Sequence, residues 1–265
     1  MPVGPPTSGW RAGAGAPDLR VPLSHHRASV IVGADLVGSE NWSGYAQSAA
    51  AGTFTGVTAT FDVTTVNTSV PGTQYSSDWV GIDGFSDQKL VQAGIEEDNI
   101  GGAAYYGAWT EVLPKVEDPL PLTVLPGDQV TVKVRETSSN WWIMKVTNDT
   151  TDQSASRVVF YRAPGKSVEA IHERPCIEAP CNTNSDLANL ATTSDAVFDP
   201  AQFTSSPPGT AAVFQPLLVA TGGATLYDIV MVSNSGSTAL ATPSGPNATG
   251  DGFTVADGGA SPPPP

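Results

Sequence analysis

Val57, Ala59, Phe61 and Val63 alternate with Thr58, Thr60 and Asp62. A two-residue period puts successive side chains on opposite faces of an extended chain, so such a segment is stable as a strand with one buried face. The pattern recurs. Val130, Val132 and Val134 alternate with Thr131, Lys133 and Arg135. Trp142, Met144 and Val146 share a face up to the Asn148-Asp149 turn, and Val158–Tyr161 reads as the strand returning from it. Leu226–Val232 is a nearly continuous apolar run. Turn signals such as Pro126-Gly127-Asp128 fall between these segments, at a spacing of about 8–12 residues that suits short antiparallel strands. The 27 glycines and 23 prolines leave no room for a long helix. The expectation is an all-β fold, an antiparallel sandwich of two large sheets, with no internal repeat.

A chain of 265 residues suits one such domain, placed here at residues 39–242. Residues 1–38 are rich in Pro, Gly and Ala and hold Trp10, Arg11, Arg20, His25, His26 and Arg27. They read as a flexible leader or pro-segment. Residues 243–265 read as a Gly/Pro-rich disordered tail with one strand around Phe253–Val255.

Lys and Arg number 12 against 26 Asp and Glu, a net charge of −14. Phosphate-rich partners need clustered cations, so nucleic acid and anionic membranes are excluded. No apolar run approaches the roughly 20 residues of a membrane span. Charged residues make up only 14%, against about 25% in ordinary domains. The surface is therefore Ser, Thr, Asn and Gln, as in many secreted β proteins, and it stays soluble in acid where carboxylates neutralise. No signal-like segment follows Met1. Cys176 and Cys181 are spaced either for a small disulfide loop, which needs an oxidising compartment, or for two unrelated thiols.

The commoner catalytic constellations are missing from the sequence. The histidines are His25, His26 and His172, and no His-Glu-x-x-His is present, so a His-rich metal site is not expected. There is no Gly-x-Ser-x-Gly elbow and no phosphate-cradling glycine loop. Ile82-Asp83-Gly84 lacks the hydroxyl residue that marks paired-aspartate peptidases. Carboxylates, amides and aromatics remain.

Four segments concentrate them. These are Asn41-Trp42-Ser43-Gly44-Tyr45, Trp79-Val80-Gly81-Ile82-Asp83-Gly84 with Leu90-Val91-Gln92-Ala93-Gly94, Tyr105-Tyr106-Gly107-Ala108-Trp109-Thr110-Glu111, and Ser167-Val168-Glu169-Ala170-Ile171-His172-Glu173. Strand alternation puts Glu169, Ile171 and Glu173 on one face and Val168, Ala170 and His172 on the other. It groups Trp109 with Glu111, and Gln92 with Leu90 and Gly94. Neighbouring strands of this kind would form a groove of aromatics with a few convergent polar groups, the general design of a ligand site.

From about Asn41 to Ala201 these segments resemble the glutamic peptidases, the eqolisin family. The Trp-Val-Gly-Ile-Asp-Gly block, the nearby Gln-x-Gly and the later Glu-x-x-x-Glu strand before a cysteine loop carry the resemblance. It implies a sandwich of two large antiparallel sheets and a secreted, acid-active, metal-independent endopeptidase, working as a single chain on polypeptides without a cofactor. It implies Gln92 and Glu173 as the catalytic dyad, with Glu as general base and acid and Gln as oxyanion stabiliser. Trp42, Trp79, Asp83, Trp109 and Glu111 fall on positions that line or support the substrate cleft. The cysteine loop beside the catalytic strand favours the Cys176–Cys181 bridge. Ala170, Gly107 and Val112 depart from the family pattern, which bears on substrate preference rather than on the dyad.

Other readings of the same residues exist. Glu96-Glu97-Asp98 and Glu117-Asp118 read as acidic loops, solvated or holding Ca²⁺. The Trp141-Trp142 pair reads as edge plus core packing. Glu169 and Glu173 could be the carboxylates of a glycoside hydrolase, but four residues on a strand span about 13 Å, beyond either usual separation. A lectin-like module would use exposed tryptophans to stack sugars.

Overall fold

The computed structural model describes residues 29–31, 36–85, 87–177 and 186–265. In chain order its strands are β1 (Ser29–Ile31), β2 (Leu36–Ser39), β3 (Trp42–Ser48), β4 (Gly56–Asp62), β5 (Ser77–Ile82), β6 (Val91–Ile100), β7 (Ala103–Val112) and β8 (Asp118–Pro119). They continue with β9 (Gln129–Ser138), β10 (Trp141–Asn148), β11 (Gln153–Phe160), β12 (Ser167–Glu173), β13 (Ala196–Thr204), β14 (Gln215–Pro216), β15 (Thr225–Val232), β16 (Ala239–Pro243) and β17 (Phe253–Asp257). No α-helix occurs among the described residues.

The strands form two layers. The front sheet runs β1–β2–β15–β3–β12–β5–β6–β7–β8. The back sheet runs β11–β10–β9–β4–β13–β17, with β14 also on β13. β16 pairs with β15 and with β17, joining the two layers at one edge. Every pairing is antiparallel except β2 with β15.

The alternation seen in sequence is what fills the space between the layers. Val57, Ala59 and Phe61 of β4, Val130, Val132 and Val134 of β9, and Trp142, Met144 and Val146 of β10 point inward from the back sheet. Val80 and Ile82 of β5, Ala93 and Ile95 of β6, and Val168 and Ala170 of β12 meet them from the front. Each large apolar side chain buried this way contributes about 1.5–3 kcal/mol. Phe198 lies between Phe61 at 5.1 Å and Phe253, stacked at 4.7 Å.

Phe253 belongs to the strand expected near the C-terminus. That strand draws part of the 243–265 segment into the core, so the segment is not simply a disordered tail. Ser244 is fully buried, and Ser261 Oγ donates to the Pro243 carbonyl at 2.9 Å. Within the expected leader, residues 1–28 lie outside the described residues, while β1 and β2 extend the front sheet. Glu96, Glu97 and Asp98 are not a loop. They are buried within β6, which runs ten residues in a hairpin with β7. Trp142 is buried and Trp141 is 46% exposed, the division expected of that pair.

The centre of the front sheet is covered on both faces. Every residue of β5 and of β12 is buried. Two glycines permit this packing. Gly44 has φ 140°, and a Cβ there would stand 2.3 Å from the Ala170 carbonyl oxygen. A Cβ on Gly94 would meet the Asp78 carbonyl oxygen and Trp79 Cβ at 2.5 Å, and Trp109 Cζ2 at 3.0 Å. Gly94 is thus the gap in which two tryptophans sit side by side. Gly94→Ala is expected to destabilise the fold by about 1–3 kcal/mol through overpacking, read from urea denaturation in acid. An unchanged midpoint would contradict this account of the Gln-x-Gly segment.

Candidate active site

The outward face of the front sheet carries three rows of side chains, fixed by strand register. Trp42, Glu173, Ser77, Glu96 and Gly107 form one row across β3, β12, β5, β6 and β7. Gly44, Ile171, Trp79, Gly94 and Trp109 form the next. Ala46, Glu169, Gly81, Gln92 and Glu111 form the third.

Glu173 closes β12 and is fully buried. Asn41 Nδ2 donates to its Oε1 at 2.9 Å, and Trp79 Nε1 donates to its Oε2 at 2.7 Å. Two neutral donors from different segments therefore fix the carboxylate plane. Trp42 packs edge-on against Trp79 at 5.0 Å. Trp109 Nε1 donates to Ser77 Oγ at 3.1 Å, and Ser77 is the cross-strand neighbour of Glu173. The three tryptophans belong to one apolar cluster with Phe85, Leu90, Ile171 and Ile229.

Gln92 sits at the other end of this face, also fully buried. Its Nε2 donates to Glu111 Oε2 at 2.5 Å. Its Oε1 has no hydrogen-bond partner in the protein. Gln92 and Glu173 share a face, two strands and two register rows apart. Trp79 lies between them: its indole nitrogen holds Glu173, and its Cζ3 would touch a Cβ on Gly81 at 2.9 Å. A cavity of ≈ 550 Å³ opens at the Glu111 end, lined among others by Val112, Lys115, Met144 and Arg157.

Asp83 supports the site rather than lining it. It follows β5 with φ 69° and is fully buried. Its carboxylate accepts the N–H of Gly165 at 2.9 Å and of Lys166 at 2.7 Å, tying the β5–β6 connection to the start of β12. Burial pushes it up to about 6, against the pull of those two N–H groups. Glu169 is fully buried, and burial holds it well above the usual carboxylate range. It is therefore neutral where free carboxylates are charged.

His172 points to the inner face, as alternation requires. Its Nδ1 meets Asp78 Oδ1 at 2.8 Å. Burial lowers the imidazole, but the Asp78 charge and hydrogen bond outweigh it, with Asp257 and Glu173 adding, and the group is held above its ordinary value. Glu97 is raised well above the usual range by burial and then by the Asp78 charge, with the Thr64 N–H opposing. Cys176 is buried and disulfide-bonded. Its expected partner, Cys181, lies outside the described residues.

The structure thus places Trp42 and Glu173 in one row, Trp79 and Trp109 in the next, and Glu169, Gln92 and Glu111 in the third. The sequence reading had no role for Asn41. Its place at the head of a motif block did not reveal the role, because its partner is 132 residues away.

The fold is thus a two-sheet sandwich that carries Glu173, Gln92 and three tryptophans on one outward face. The chain belongs to the Peptidase A4 family, whose sequence model matches residues 40–249. Among solved structures it is similar to scytalido-glutamic peptidase with a transition-state analogue inhibitor. The TM-score is 0.59 and the identity 22%, over 82% of this chain and 98% of that one. SCP-B, an eqolisin-family member in complex with the tripeptide Ala-Ile-His, gives a TM-score of 0.54 and 21% identity over 82% of this chain and 98% of its own. Aspergilloglutamic peptidase from Aspergillus niger gives 0.52 and 25% identity over 69% of this chain and 99% of its own. No curated protein matches the sequence.

Proposed function

We propose that this peptidase is a secreted, acid-active endopeptidase in which Glu173 and Gln92 divide the chemistry. Glu173 takes a proton from water as the oxygen attacks the scissile carbonyl carbon. It returns that proton to the nitrogen as the C–N bond breaks. Gln92 has two N–H groups. One is held by Glu111, which orients the amide, and the other donates to the oxyanion. No metal is needed, and one chain supplies both groups. The observation that carries the reading is the convergence on Glu173 of Asn41 and Trp79, the heads of two separate motif blocks.

Both side chains are buried, so substrate entry requires the covering cluster around Phe85 and Leu90 to part. The raised carboxyls Asp83, Glu97 and Glu169 support work in acid, because each would be forced to ionise in place at higher pH. A disulfide at Cys176 supports an oxidising compartment. Trp42, Trp79 and Trp109 are at most 2% exposed, so these three offer no sugar-stacking platform for the lectin-like reading.

The test is cleavage of denatured casein across acid pH with a paired-aspartate inhibitor present. Inhibitor-resistant cleavage that peaks in acid is expected. Gln92→Ala is expected to lower kcat by about 10²–10³-fold, the usual loss for one oxyanion donor. Full activity in purified Gln92→Ala would remove Gln92 from the mechanism.

A further inference from the structure

We infer that Asn41, locked in one amide orientation by Ser39, is a positioning residue for the Glu173 carboxylate. The inference rests on the reading of Glu173 as the base.

Asn41 lies at the bend between β2 and β3 and is fully buried, as is Ser39. The two ends of an asparagine amide have nearly the same shape, so its orientation is set by the surrounding hydrogen bonds. Ser39 settles it. A serine hydroxyl has two acceptor positions and one proton. Both acceptor positions are occupied, by the N–H of Asn41 at 3.4 Å and of Trp42 at 3.2 Å. The proton is left to donate, and Asn41 Oδ1 receives it at 3.2 Å. With its oxygen so engaged, the amide turns its NH₂ toward Glu173 Oε1, where the 2.9 Å bond forms. The reversed amide would set an oxygen against a carboxylate and waste the Ser39 proton.

The backbone reinforces this arrangement. Arg174 N donates to the Asn41 carbonyl at 3.1 Å, and Arg174 Nε donates to the Glu40 carbonyl at 2.6 Å. The bend holding Asn41 is therefore clamped to the residue that follows Glu173. With Trp79 on the other oxygen, neutral donors from two separate segments hold the carboxylate. Asn41 thus fixes the direction in which the Glu173 carboxylate presents its lone pairs.

The experiment compares Asn41→Ala, Asn41→Asp and Ser39→Ala with the parent and with Glu173→Gln, by kcat and KM separately on a quenched peptide. Both Asn41 variants are expected to lower kcat roughly 10–100-fold with KM nearly unchanged. Ser39→Ala touches neither Glu173 nor substrate. It is expected to lower kcat by less, again at nearly unchanged KM, and it carries the test if the Asn41 variants do not fold. An unchanged kcat in the variants that fold, with Glu173→Gln inactive, overturns the inference and leaves the base assignment standing. An active Glu173→Gln overturns the assignment on which the inference rests.

Discussion

Glu173→Gln is expected to fold and to cut peptide bonds about 10²–10⁴-fold more slowly than the parent at every acid pH, the range seen when a positioned general base is removed. The substitution keeps the shape and removes the base. A glutamine cannot take a proton from water, and neither Ser77 nor Glu169 replaces Glu173. Ser77, beside it on β5, spends its proton on the Ile95 carbonyl at 2.7 Å. Glu169 is on the same face, two rows away and held neutral by burial. The variant also carries a stability cost that distinguishes it from an inert isostere. Asn41 and Trp79 each aim an N–H at position 173. A glutamine offers one oxygen to the two donors, so one buried donor meets an NH₂ instead, which costs about 1–3 kcal/mol. The expected result is a cooperative melt a few degrees below the parent's, together with lost turnover. Near-full activity in a purified, folded variant would end the case for Glu173.

How much of this was legible in the sequence depends on how many faces of a strand are buried. β4, β9 and β10 have one buried face and one polar face, and their alternation is plain. β5 and β12 are buried on both faces. Periodicity there could sort Glu169, Ile171 and Glu173 from Val168, Ala170 and His172, but it could not say that both sets were covered. By composition alone Glu173 reads as a solvent-facing carboxylate, and it was the family pattern that singled it out. The acidic run in β6 misled for a related reason. Three consecutive acids argue against a strand unless each has a partner, and the partners are remote. The Thr64 N–H reaches Glu97 Oε1 at 3.0 Å, and the Ser76 N–H reaches Asp98 Oδ1 at 3.3 Å. Asn41 was missed on the same physical ground. A hydrogen bond across the sheet leaves no spacing in the chain, whereas a glycine forced by close packing, such as Gly94, leaves a conserved-looking gap inside a motif.

The second large effect concerns the whole molecule. The folded protein is expected to be most stable in acid and to lose stability steadily as pH rises from 4 to 7. Burial raises Asp83 and Asp228 from 3.8 to about 6, and raises Glu97 and Glu169 as well. A carboxyl with a raised folded-state value binds more protons in the native than in the unfolded chain between the two values. Unfolding free energy therefore falls with rising pH through that window. For Asp83 and Asp228 the window runs from 3.8 to about 6. For Glu97 and Glu169 it opens at 4.5 and extends well above. His172 is raised from 6.5, so its pairing with Asp78 stabilises the fold below that value and is lost as pH climbs through the raised one. Every one of these groups acts in the same direction. Asp83 alone, shifted by about two pH units, accounts for about 3 kcal/mol, or about 6–12 °C of melting temperature in a domain of this size. Melting curves at pH 4, 5, 6 and 7 should descend in that order. Asp83→Asn keeps a side chain that tolerates the left-handed backbone, and it should flatten the slope between pH 4 and 6 by the share of Asp83. A flat or rising melting temperature from pH 4 to 7 would show that these buried carboxyls are not neutral in the folded protein. The support for an enzyme built to work in acid would then have to come from the pH–rate profile alone.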